Sequence, residues 1–106
     1  MKNAILAISE RKETLKQIRK ELSEQYEIIT FNNLLDALDM LRESDFDIIL
    51  LDEPTNALDE SGITMLENVI QDETSRGATI VMASHDMNFL HHCCSKIYTM
   101  RAGTLS

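Results

Sequence analysis

Hydrophobic and polar positions along the chain fall into short apolar runs separated by longer stretches of helical period. Ala4 to Ile8 is an uninterrupted apolar run and predicts a strand. From Arg11 to Gln25 the apolar positions thin out to Leu15, Ile18 and Leu22, one stripe of a helix whose other faces are charged. Tyr26 to Phe31 is β-branched and aromatic and predicts a second strand. Asn33, with Asp36 three residues on, is an N-cap signal for a helix striped by Leu34, Leu38 and Leu41.

Asp47 to Asp52 is apolar on both faces between its end aspartates, the pattern of a central strand covered above and below. Glu53 to Asp59 is a loop holding the only proline. Glu60 to Arg76 predicts a helix with Ile63, Leu66 and Ile70 inward and Gly77 as its stop. Thr79 to Ala83 is a fourth strand, Asp86 caps a short helix that buries Phe89 and Leu90, and Ile97 to Met100 is a fifth strand before a turn at Gly103. Met65, Met82, Met87 and Met100 read as adaptable core filler.

Strands alternating with helices imply right-handed crossovers and one α/β domain, residues 1–106, with a five-stranded parallel sheet between two helical layers. Two strand orders satisfy the pattern: a flavodoxin-like 2-1-3-4-5, which is favoured, and a P-loop-like 2-3-4-1-5. In such sheets functional groups gather at the carboxyl ends of the strands. Those positions hold Ser9 and Glu10, Asp52 and Glu53, Ser84 and His85, and Arg101.

Charge narrows the partners. The net charge is −8, and both halves of the chain are acidic. Nucleic acid and anionic membrane surfaces, which need a basic footprint, are therefore not expected as partners. The apolar run at the N-terminus ends at charges, too short for a signal peptide or a spanning helix. Cys93 and Cys94 are neighbours, which disfavours a disulfide between them and fits a reducing, cytoplasmic setting. Consecutive helical residues point about 100° apart, so His91 to Cys94 cannot converge on one metal ion.

The second half carries specific motifs. Ile48-Ile49-Leu50-Leu51-Asp52-Glu53-Pro54-Thr55-Asn56-Ala57-Leu58-Asp59 resembles the Walker B strand and D-loop of ABC-type ATPases. Ile80-Val81-Met82-Ala83-Ser84-His85-Asp86 resembles that family's H-loop strand, and Met100 to Leu105 its next strand and glycine turn. The likeness spans about residues 46–105. It implies that Asp52 would hold Mg²⁺, Glu53 would polarise the attacking water, His85 would sense the γ-phosphate, and Asp59 would belong to the D-loop. Yet these residues contain no G-x-x-x-x-G-K-S/T loop, signature sequence or glutamine loop. Without a phosphate-wrapping nest and its lysine, carboxylates facing a polyanionic nucleotide repel it. No ATPase activity and no bound cofactor are expected.

Residues 1–52 resemble instead the receiver domain of bacterial response regulators, in the order and spacing of their elements and in Asp45-Phe46-Asp47-Ile48-Ile49-Leu50-Leu51-Asp52. That resemblance implies a flavodoxin-like fold and places Asp52 at the phosphoacceptor position, Ser84 at the hydroxyl switch and Arg101 near the cation after the last strand. Of the acidic Mg²⁺-binding pair, only Glu10 remains, so Asp52 and Glu10 are the metal candidates. Both resemblances meet on the strand ending at Asp52. The reading that follows is an engineered chimera of flavodoxin-like and P-loop fragments, a folding scaffold with inherited motifs. The alternatives are residual Mg-nucleotide binding, or an atypical receiver-like interaction module. With one sheet face covered only by the first helix, a homodimer is expected.

Overall fold

A computed structural model describes residues 3–56, 58–93, 100, 101, 104 and 105. Strand β1, Asn3–Ile8, pairs in parallel with β2, Tyr26–Phe31, on one side and β3, Ile48–Asp52, on the other. Strand β4, Thr79–Ala83, continues the sheet beyond β3, giving the order β2-β1-β3-β4. The first four strands therefore follow the flavodoxin-like order. The P-loop-like alternative is overturned, because β1 pairs with β3 rather than with β4.

The expected five-stranded sheet is corrected to four strands among the described residues. Residues 97–99 of the expected fifth strand lie outside the described residues. The strand β5, Met100–Arg101, pairs antiparallel with β6, Thr104–Leu105, rather than with β4. Pairing with a segment only a few residues away closes a far shorter loop than joining the sheet does.

Helix α1, Lys12–Leu22, is shorter than its charge pattern predicts, ending where Ser23 donates its amide to the Arg19 carbonyl. It buries no residue fully and lies against β2 through half-buried Leu15, Ile18 and Leu22. Helix α2, Leu34–Glu43, is capped by Asn33, whose side chain accepts the Asp36 amide at 2.9 Å. Helix α3, Glu60–Ser75, is capped by Asp59, and α4, Met87–Cys93, by Asp86, whose Oδ1 accepts the Phe89 amide at 3.1 Å.

Alternation along the strands splits the core. Leu6, Ile8, Ile49 and Leu51 meet Leu34, Ala37, Leu41, Leu66, Ile70 and Phe89 in one cluster under α2, α3 and α4. Met65 and Met82 pack against that cluster as expected, but Met87 is exposed: at the first position of its helix it points away from the sheet. Across the sheet, Ile5, Ala7 and Ile28 are buried while Val81 stands half exposed on β4.

Helix α3 keeps its predicted stripe, with half-buried Ile63 packed against the core, and extends it to position 73. Its buried positions are Leu66, Ile70 and Glu73, with Ile63 only half-buried. The 3.6-residue period carries the buried face on to position 73, where the sequence has a carboxylate rather than an aliphatic side chain. Arg76, one turn later, pairs with it at 2.8 Å. Burial pushes the Glu73 carboxyl up; Arg76 opposes that, and Asp45 and Asp72 add to it.

Candidate functional site

The carboxyl ends of β1, β3 and β4 bring most of the candidate residues to one edge of the sheet. Ser9 follows β1 and is buried, its amide donating to the Phe31 carbonyl at the end of β2. Its hydroxyl donates to Asp52 Oδ2 at 2.6 Å and accepts the Arg11 amide at 3.1 Å. Arg11 stands at the N-cap of α1 but makes no side-chain cap. Its guanidinium reaches across to Asp52 instead, Nη2 to Oδ1 at 2.6 Å and Nε to Oδ2 at 3.0 Å. This is the two-pronged geometry in which arginine binds a carboxylate most strongly.

Both Asp52 oxygens are thus engaged within the chain, and the carboxylate is only 12% exposed. Burial alone would raise its pKa. The hydrogen bonds from Arg11 and Ser9, with the arginine's charge, outweigh burial and hold it below its ordinary value. The same contact, through its hydrogen bond first and its charge second, raises the Arg11 guanidinium.

Glu53 begins the loop with φ of 47°, the left-handed region, which costs a side-chain-bearing residue of order 1 kcal/mol. Its amide donates to the Ala83 carbonyl at 2.7 Å, carrying the β3–β4 ladder one residue further. That turn aims its carboxylate at His85: Oε2 accepts the His85 amide at 3.3 Å, and Oε1 lies 3.5 Å from Nε2. The two residues singled out for water activation and phosphate sensing are neighbours, with the imidazole almost wholly exposed.

The remaining candidates are occupied elsewhere. Asp59 accepts the Gly62 amide and the Ser61 hydroxyl, each at 2.9 Å. Those bonds, the first the stronger, lower its pKa and commit it to starting α3. Ser84 Oγ accepts the Asp86 amide at 3.0 Å within its own turn. Of Arg101 only the backbone, in β5, belongs to the described residues. The cation that meets Asp52 is Arg11, which the sequence reading passed over as part of a solvated helix face. An arginine at the first turn after β1, opposite an aspartate ending β3, was the available signal.

The Mg²⁺ implied by both resemblances can be tested against these groups. Glu10 is exposed beside Arg11, and no cluster of three or more His, Cys, Asp or Glu side chains is arranged for a metal among the described residues. A guanidinium bridging both oxygens of Asp52 occupies the positions a divalent ion would need and repels it. The residues as arranged do not fit the ion. Ser9, Glu10, Asp52 and Glu53 themselves line a cavity of about 190 Å³, together with Asn32, Asn33 and Asn56 and apolar Ile8, Leu34, Leu51, Pro54 and Leu58, and its three carboxylates repel a triphosphate.

No protein-family profile matches the chain. It is 42% identical over 59 residues to an uncharacterized ABC transporter ATP-binding protein, YybJ, of Bacillus subtilis, covering 56% of this chain and 27% of that protein. It is 34% identical over 61 residues to a putative ABC transporter ATP-binding protein of Listeria monocytogenes, covering 58% and 23%. The chain thus spans about a quarter of the length of these relatives. In structure it is similar to the BeF3-activated receiver domain of DrrB, a Thermotoga maritima response regulator. The TM-score is 0.61 at 21% identity, covering 83% of this chain and 73% of that one. That second likeness is one of fold. Receiver-like in fold and ABC-like in sequence over about half its length, the chain fits a hybrid of the two.

Proposed function

We propose that this chain is an engineered chimera of flavodoxin-like and ABC-type fragments, a folding scaffold with no turnover of its own. The observation that carries this reading is the closed set of bonds among Ser9, Arg11 and Asp52. A carboxylate that accepts three hydrogen bonds from its own chain supports the sheet edge rather than a ligand. The shares of the chain covered by the two likenesses overlap, so part of it is ABC-like in sequence and receiver-like in fold. The junction is proposed on β3, whose Asp47 to Asp52 stretch serves both patterns.

Incubation with Mg-ATP is expected to release phosphate no faster than buffer, and Mg-ATP to leave the melting temperature unchanged. A saturable, magnesium-dependent rise in melting temperature that Asp52→Asn abolishes would replace this reading with a residual nucleotide site. The scaffold reading includes self-association. Val81 is 51% exposed on β4, and no strand pairs with the outer edge of β4 among the described residues. A second copy is the proposed cover for that under-covered sheet face. Sedimentation is expected to report a dimer that Val81→Lys shifts toward monomer; a monomer at every concentration sinks this part.

A further inference from the structure

A larger concavity lies away from the motif residues, between α2 and α3. Its volume is about 370 Å³, within the size range of small-molecule sites. Its lining carries charge of both signs: Arg42 from α2, Asp72 and Glu73 from α3, and Arg76 at the C-cap of α3. These four cancel, so the groove is neutral in a chain whose net charge is −8.

Which of these groups is already spent decides what the groove can hold. Glu73, with its side chain 4% exposed, is bound by Arg76 Nη1 at 2.8 Å, and the same nitrogen donates to the Leu41 carbonyl at 3.3 Å. Nη1 is thereby used up, while Nε and Nη2 of the same rigid fork have no partner among the described residues. Asp72 stands four residues before Arg76, the spacing that makes side chains neighbours on one helix face. The two nevertheless form no ion pair, because Glu73 holds the guanidinium. Exposed Asp72 therefore has no hydrogen-bonded counter-charge. Arg42 meets only Asp39, at 3.9 Å too far for a hydrogen bond. A free carboxylate and a guanidinium with N–H groups to spare thus stand side by side, with half-buried Leu38, Met65 and Val69 along the groove.

We propose that this groove binds a free α-amino acid with a straight apolar side chain, its carboxylate on Arg76, its ammonium on Asp72 and its side chain along Met65 and Val69. Such a ligand sets both charges on one carbon and bridges two opposite charges that are neighbours yet do not meet. Asn68, one turn before Asp72 and without a partner of its own, adds an amide that accepts or donates as the ligand requires. Glu73 does not touch the ligand; it fixes Arg76. A lone anion would face Asp72, and a lone cation would face the guanidiniums. This site is separate from the Asp52 cluster, so it stands or falls apart from the scaffold reading.

The test is titration of the full chain with L-norleucine at neutral pH, following the Met65 and Val69 methyl signals. Saturable shifts at millimolar concentration are expected. Hexanoate lacks the ammonium and n-pentylamine lacks the carboxylate; each should bind about tenfold more weakly, the loss of one charge-assisted contact. Asp72→Asn is isosteric and lies on an exposed side chain, so the fold tolerates it. It should weaken norleucine about tenfold and leave hexanoate no weaker. Removing Arg76 alone would strand the buried Glu73 charge, so the cationic side is tested by Glu73→Leu together with Arg76→Gln. That pair should weaken norleucine and hexanoate alike and leave pentylamine no weaker. Hexanoate or pentylamine binding as tightly as norleucine, norleucine binding that Asp72→Asn leaves unchanged, or the absence of any saturable shift overturns the proposal. So does equal binding of Nα-acetyl-norleucine methylamide, which carries neither charge.

Discussion

Leu66→Ala is expected to lower the unfolding free energy by about 3 kcal/mol, read from urea denaturation. Leu66 has no exposed surface, and it sits on α3 in the cluster that includes Leu6, Ile49 and Phe89. Shortening it removes the transfer energy of three carbons. It also leaves a hole that the sheet beneath cannot collapse to fill, since β1 and β3 are held by parallel pairing on both sides. Leu35→Ala supplies the control: Leu35 is 66% exposed on α2, and its loss should change stability by no more than about 0.5 kcal/mol. The sharper readout concerns the two segments. On the proposed division of the chain, Leu66 falls in the ABC-like segment, whereas Leu6 and Ala37 fall in the receiver-like one. If they share one core, hydrogen-exchange protection of the β1 amides falls by the same free energy as the global transition. Protection in β1 that survives the Leu66 change would mean that the halves unfold separately.

What the sequence made legible follows from where local chemistry decides structure. The caps at Asn33, Asp59 and Asp86 are short-range devices, and two of them, Asn33 and Asp86, were read directly from the residue type. The strands up to β4 were legible because β-branched runs sit between turn signals. Strand order was favoured correctly for the first four strands, but through the receiver resemblance and not through periodicity, since pairing of β1 with β3 rather than β4 depends on contacts more than forty residues apart. The end of α1 was overdrawn because a charge pattern continues past the point where Ser23 closes the helix. Glu73 and Arg11 were missed for a common reason. A charged residue on an amphipathic helix is assigned to water by periodicity alone. Only tertiary placement shows that one is buried beneath a groove and the other turned onto Asp52. The motif residues Glu53 and His85, in contrast, were found next to each other because consecutive parallel strands bring their carboxyl ends together.

Asp52→Ala is expected to destabilise the fold by about 2 kcal/mol at pH 7. The cost comes mainly from what the substitution leaves behind. Ser9 is 2% exposed and its hydroxyl is left only the long 3.4 Å bond to the Arg11 carbonyl, whereas the Arg11 side chain, two-thirds exposed, returns to water at little penalty. Raising the salt concentration should therefore erode only the smaller, guanidinium part of the effect. The pH dependence follows from the same contacts. Burial works to raise the carboxyl's pKa, and the bonds from Arg11 and Ser9 prevail, so the folded pKa lies below the ordinary 3.8. A depressed folded pKa means that the unfolded chain binds more protons in the window beneath 3.8. Asp52 then contributes its full stabilisation above that pH and loses it as the pH falls through the folded value. The gap between wild type and Asp52→Ala should be flat from neutrality down to about pH 5 and narrow below the ordinary value. The sign of the neutral-pH result separates the two histories of this residue. A carboxylate poised for a metal or a phosphoryl group is held at a cost to the fold, and deleting it stabilises the protein. A carboxylate that ties β1 to β3 through its own serine and arginine is part of the fold, and deleting it weakens the sheet edge. A variant more stable than wild type at pH 7 would place Asp52 in the first class and return the strand-end acids to chemistry.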